Sequence, residues 1–204
     1  MRRWLHTIKK HFEPTAVVLM YHRIADVAVD PWDLAVSAAH FEEQVALLTK
    51  KFNVIPVREL VKNLKEKKLA ARTVCLTFDD GYTDNYLFAK PTLEKYRCPA
   101  TFFIASGYTG QKEAFWWDYL EALLLNAPHL PALFEIPIQD DILRFELGTE
   151  SLLTLELAQK HEAWRSPAPT PTRRCALMLA IWEQLKPMLY TEQKLVLDAI
   201  KKWA

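Results

Sequence analysis

Thr73-Val74-Cys75-Leu76-Thr77-Phe78-Asp79-Asp80-Gly81 (TVCLTFDDG, residues 73–81) decides how this chain is read. An apolar, strand-forming run ends abruptly in two carboxylates and a glycine. In parallel α/β sheets the loops at the C-terminal ends of the strands carry the active site, so paired acids there sit where ligands bind. Successive strand residues point to opposite sides, which predicts different jobs for Asp79 and Asp80: one holds a metal while the other takes a proton. Gly81 fits a sharp exit that brings backbone amides close to a ligand. A plain turn at Asp80-Gly81, with Asp79 as a helix cap, would be written in the same letters.

Three further apolar runs, at 16–21, 52–57 and 100–105, alternate with amphipathic segments, the pattern of β/α units around a parallel sheet. Phe41, Val45, Leu48 and Phe52 form one helical stripe, with Glu42, Glu43, Lys50 and Lys51 on other faces. Leu60, Val61 and Leu64 continue the theme in a short helix whose lysines, from Lys62 to Lys68, read as a solvated face. A third helix is expected over 85–97, and Pro91 predicts a kink or a late start within it. Met20-Tyr21-His22-Arg23 closes the first strand, which places His22 at the same sheet end as Asp79 and Asp80. A histidine satisfied by a loop hydrogen bond is the plainer reading.

The character changes after residue 107. Residues 115–125 (FWWDYLEALLL) form a helix with a wide apolar face, in which Trp116, Trp117 and Tyr119 read as core rather than as sugar-stacking rings. Residues 133–147, interrupted at Gln139, Asp140 and Asp141, read as a hairpin. Helices follow at 150–164, 173–185 and 191–203, with a proline-rich break at 166–172 that reads as a stiff linker. The expected organisation is an N-terminal segment (1–15), an α/β part (16–107) and a mostly helical insertion or appendage (108–204).

Composition narrows the function. Twenty-six basic and 25 acidic residues leave a net charge of +1, with no block of like charge to neutralise a phosphate backbone, so nucleic acid is not an expected partner. Cys75, Cys98 and Cys175 are too scattered for a disulfide framework and make no C-x-x-C pair; they read as buried free thiols. No signal-peptide core follows the basic N-terminus and no run is long enough to span a bilayer, so the chain reads as cytoplasmic.

The strand ending MYHRI, the helix HFEEQVALL, the strand and loop CLTFDDGYTDNY and the pair PTLEKYRCPATFFIASGYTG together resemble the polysaccharide deacetylase family, the NodB-homology or carbohydrate esterase family 4 domain. The resemblance covers about residues 16–110, and FWWDYLEALLL with the following helices resembles an insertion seen in a subset of that family. It implies the N-terminal part of a distorted, incomplete (β/α) barrel and the removal of N- or O-acetyl groups from sugar polymers. Asp79 then corresponds to the general base acting on the attacking water, and Asp80 to a ligand of a divalent metal, commonly zinc. Thr77, Gly81, Tyr82 and His22 are the expected neighbours. A metal would lower the pKa of its water and polarise the acetyl carbonyl while Asp79 supplies the base.

The family's pattern also contains a later H-x-x-x-H pair of metal ligands. Among His6, His11, His22, His40, His129 and His161 no two stand four apart, and His129 and His161 read as surface residues. The chain therefore reads as the first half of a deacetylase, truncated and inactive as it stands, with metal binding weak or absent. A non-catalytic carbohydrate-binding or interaction remnant of the same family is the competing reading. A metal-assisted phosphoesterase ranks last, because only 4 glycines occur and no phosphate-cradling loop accompanies the acids. An uncovered sheet edge such as 100–105 predicts self-association.

Overall fold

A computed structural model describes residues 15–138 and 141–204. The N-terminal segment up to residue 14, with His6 and His11, and the hairpin-turn residues Gln139 and Asp140 lie outside the described residues. The chain runs through β1 (Ala16–Tyr21), β2 (Arg23–Ile24), β3 (Ala35–Val36), α1 (Ala38–Lys51), β4 (Asn53–Val54), α2 (Val57–Lys65) and β5 (Thr73–Phe78). A π-helical turn (Asn85–Ala89) leads into α3 (Lys90–Lys95), followed by β6 (Thr101–Phe102). Next come α4 (Trp116–Asn126), the hairpin β7 (Leu133–Ile138) and β8 (Asp141–Glu146), and the helices α5 (Leu155–Ala163), α6 (Arg173–Leu185) and α7 (Tyr190–Trp203). Two compact units result: one holds the residues up to Val27 and Leu34–Thr109, the other Ala28–Asp33 and Gly110–Ala204.

In the first unit every strand of the main sheet is parallel to β5. β1 pairs with it along its whole length, from Ala16 opposite Thr73 to Tyr21 opposite Phe78. That occupies one edge entirely, so β4 and β6 share the other. β4 takes the first two residues of β5, and β6 takes the last two. This sharing is why the apolar runs at 52–57 and 100–105 contract to two paired residues each. All six residues of β5 are buried.

One face of the sheet rests on α1 and α3, where Phe41, Val45, Leu48 and Leu93 cover Leu76 and Phe78. The Phe78 ring stacks on Phe102 at 4.6 Å and on Tyr21 at 5.3 Å and meets the edge of Phe41 at 5.7 Å. On the other face Ile55 and Leu60 cover Cys75 near the start of β5. Val17, Val18 and Met20 of the edge strand β1, and Phe103 and Ile104 after β6, are exposed.

The α1 stripe buries Phe41, Val45 and Leu48, but Phe52 does not complete it. Phe52 is the helix C-cap in an extended conformation and is 40% exposed. The chain must leave the helix there because Asn53 already donates to the carbonyl of Arg72 at 2.9 Å to begin the β4 pairing. α2 buries only Leu60, and Val61 and Leu64 face solvent. The 85–97 helix does not start late: the π-helical turn Asn85–Ala89 runs directly into α3, so Pro91 follows a stretch of widened helix in which the Lys90 N–H bonds to the Asn85 carbonyl.

In the second unit β7 alternates, with Phe134, Ile136 and Ile138 buried against a core that includes Leu120, Leu124 and Ile181. Trp116 packs on the same core from a partly buried position. His161 is not a surface residue. It is fully buried, with Nδ1 2.9 Å from the carbonyl of Leu125 and Nε2 3.0 Å from the Thr172 hydroxyl, which caps α6. His129 is exposed, and all three cysteines are free and buried. Among the described residues no helix is long and apolar enough to cross a membrane.

Phe78 carries the aromatic cluster directly beneath the paired acids. Phe78→Ala should destabilise the chain by about 3–5 kcal/mol, measured as a lower urea midpoint at unchanged slope.

Candidate active site

The end of β5 is an elbow rather than a continued strand. The amide of Asp79 still donates to the carbonyl of Tyr21 at 2.9 Å, extending the β1 pairing by one residue. Gly81 N–H then turns back to the Asp79 carbonyl at 2.8 Å, with Asp80 between them at φ 69°. A bond spanning three residues around a positive φ is a γ-turn of the rare, strained kind. Such strain persists only where neighbours brace it, and here the Asp80 carbonyl accepts from Ala105 N–H at 3.1 Å. Gly81 follows at φ 82°, and a Cβ there would stand 2.8 Å from Cδ1 of Ile104.

Asp79, Asp80 and Thr77 line one groove of about 820 Å³, walled by Val18, Met20, Phe103 and Ile104. Its floor is the face of β5 that continues beyond Cys75. Thr77 is buried, and its hydroxyl donates to the carbonyl of Leu19 at 3.4 Å.

His22 follows β1 in register and comes within electrostatic reach of Asp80. Burial pushes the Asp80 carboxyl above its ordinary value, the His22 imidazole pulls it back down, and the neighbouring Asp79 charge adds to the rise. The remaining expected neighbour, Tyr82, lies under the Arg23 guanidinium, 4.9 Å from the ring centroid.

Three residues of this assembly were not singled out from the sequence. Arg23 Nε donates to Asp84 Oδ2 at 3.1 Å, and Ile24 N–H donates to Asp84 Oδ1 at 3.1 Å. Asn85 Nδ2 donates to the carbonyl of His22 at 3.1 Å. Their only trace in the sequence is an Asp-Asn pair shortly after the elbow and an arginine after the histidine. Nothing in local spacing says that they meet.

A catalytic zinc takes three protein ligands and keeps one position open for water. Among the described residues no group of three or more His, Cys, Asp or Glu side chains comes together to hold a metal ion. Asp79, Asp80 and His22 do not make such a set.

A family profile for polysaccharide deacetylase matches residues 66–130, which include β5, the elbow and β6. This segment is similar to the polysaccharide deacetylase family. Among curated relatives, YxkH of Bacillus subtilis, named as a candidate polysaccharide deacetylase, is 35% identical over 111 residues, covering 53% of this chain and 37% of its own. A poly-beta-1,6-N-acetyl-D-glucosamine N-deacetylase of Staphylococcus aureus is 26% identical over 174 residues, or 79% of this chain and 57% of its own. Among solved structures, the deacetylase PplD of Streptococcus pyogenes in complex with acetate is 28% identical with a TM-score of 0.44, covering 53% of this chain and 52% of that one. IcaB of Ammonifex degensii is 28% identical with a TM-score of 0.45, covering 54% and 48%. The chain spans between 37% and 57% of the length of these curated relatives.

Protonated Asp80 is the form that burial favours. This carboxyl therefore contributes stability below its ordinary value of 3.8, and that contribution is lost as the pH rises through its raised value in the fold. Asp80→Asn should melt above the parent at neutral pH, with the charge-dependent part of the gain vanishing in thermal melts below pH 3.8. Gly81→Ala should destabilise by about 1–2 kcal/mol from backbone strain alone, with more from the Ile104 contact, read by chemical denaturation.

Proposed function

We propose that the groove is a polysaccharide deacetylase-type site for N-acetylated hexosamine polymers, in which Asp79 acts as general base and Asp80 as a ligand of a divalent metal. The observation that carries this reading is the pair of adjacent carboxylates on one groove at the C-terminal end of the central strand, inside the segment matched to the family. A base in that position takes the proton of a water attacking the acetyl carbonyl, a contribution typically worth about 10²–10⁴ in rate. Exposed apolar side chains of Met20, Phe103 and Ile104 beside the acids suit the weakly polar face of an acetylated sugar. The Staphylococcus aureus relative, by its name, acts on a β-1,6-linked N-acetylglucosamine polymer, and we take that linkage as the first substrate to test.

A second reading is favoured by one observation, the shortfall of metal ligands among the described residues. One or two protein ligands offset the dehydration of a divalent ion poorly, so by itself this chain binds such an ion weakly and works as a sugar-binding module rather than as a complete catalyst. Calorimetry with zinc and an acetate-release assay on a β-1,6-linked N-acetylglucosamine oligomer separate the two. The expected outcome for this chain is no saturable zinc site at micromolar protein, no acetate release, and oligomer-induced NMR shifts at Gly81 and Ile104. Tight zinc binding with acetate release that Asp80→Ala abolishes would show a complete catalyst. Absence of any shift at the elbow would remove the sugar-binding reading as well.

A further inference from the structure

We propose that Asp84 and Asn85 are positioning residues that hold the His22 backbone so that its imidazole stays beside the paired acids. The proposal rests on reading the groove as a deacetylase-type site, since only there does the placement of His22 matter. His22 is held from two sides. On the first, the Asp79 N–H to Tyr21 carbonyl bond holds the parallel register to the very end of β1, one residue past β5, and brings residue 22 alongside the elbow.

On the second side two consecutive side chains grip three consecutive residues. Asn85 Nδ2 takes the His22 carbonyl at 3.1 Å, Asp84 Oδ2 takes Arg23 Nε at 3.1 Å, and Asp84 Oδ1 takes the Ile24 N–H at 3.1 Å. The Asp84 side chain is 11% exposed and that of Arg23 30%, so this ion pair is shielded far more than an open surface pair. Arg23 also covers Tyr82, so the loop after the elbow is bound to residues 22–24 at three points.

Asn85 supplies an independent observation. It is 2% exposed, and its Oδ1 is the buried side-chain atom without a hydrogen-bond partner among the described residues. The His22 carbonyl only accepts, so the atom facing it must be the donating Nδ2. Leucine would fill nearly the same volume and leave no orphaned acceptor. The donor to His22 is therefore the property of Asn85 that its surroundings use.

The test is NMR on the full chain, free of metal and sugar: cross-relaxation between the His22 ring protons and the Asp80 β protons, in the parent and in Asn85→Leu, Asn85→Asp and Asp84→Asn. Asn85→Asp keeps the shape and removes the donor. Asp84→Asn keeps an acceptor for the Ile24 amide and removes the charge facing Arg23. The parent should show the cross-peaks, and each variant whose amide spectrum remains that of the folded chain should lose them or weaken them several-fold. Cross-peaks of parental intensity in a folded Asn85→Asp or Asn85→Leu variant would overturn the proposal, as would their absence from the parent. Should Asn85→Leu unfold, Asn85→Asp and Asp84→Asn decide the question. Since neither zinc nor oligosaccharide enters the measurement, a failed sugar-binding or acetate assay is a separate result that bears on the deacetylase reading alone.

Discussion

The hydrogen bond from the Asp79 amide to the Tyr21 carbonyl, 2.9 Å long, is the contact on which the rest of the site depends. It is the last rung of the β1–β5 ladder, joining the final residue of β1 to the residue just after β5. Because the ladder is parallel, its two C-terminal ends finish side by side, and the residues that follow them are forced into company. On one side these are His22, Arg23 and Ile24; on the other, Asp79, Asp80 and Gly81. Removing the strand pairing would leave two loops some sixty residues apart in sequence with no reason to meet.

β5 tolerates the strained elbow because its own position is over-determined. It is paired on both edges and buried on both faces, and its last residue is locked among Tyr21, Phe41 and Phe102. A non-glycine residue at φ 69° is uncommon, and aspartate accepts it better than most. The turn converts the alternation of a strand, which would send adjacent side chains apart, into a geometry in which both carboxylates line one groove. Gly81 completes the turn where Ile104 leaves no room for a Cβ. The groove's chemistry and its backbone strain thus come from the same three residues.

The groove carries two adjacent acids without a converged ligand set among the described residues, and these two facts have different structural sources. The acids are local to one strand end. A ligand set needs side chains from several strand ends, and this groove is flanked on either side of β5 by exposed apolar residues, Met20 and Ile104. The curated relatives are longer than this chain, and it covers 37% and 57% of the two described.

Much of the fold is written locally. The runs at 16–21 and 73–78 are apolar to their ends, and the strands stop where those runs stop, because turn residues and charges there end the β pattern. The α1 stripe follows from helical periodicity, and the π-helical turn ahead of Pro91 accompanies proline's missing N–H. The apolar runs at 52–57 and 100–105 mark strands but not their lengths, since only the sharing of one edge of β5 shortens them to two residues. Asp79 and Asp80 stand out because two acids and a glycine after a buried strand are chemically conspicuous. Asp84 and Asn85 do not, since their partners lie across the sheet and a hydrogen bond between distant residues leaves no periodic trace. His161 is misread from the sequence for the same reason: its burial depends on Leu125 and Thr172, which α4 and the start of α6 bring to it. The sequence by itself therefore determined the central strand, its flanking helices and the identity of the two acids, all properties of consecutive or periodic residues. The tertiary structure alone decided that Asp84 and Asn85 meet residues 22–24, because a turn and a parallel ladder relate residues through space and not along the chain.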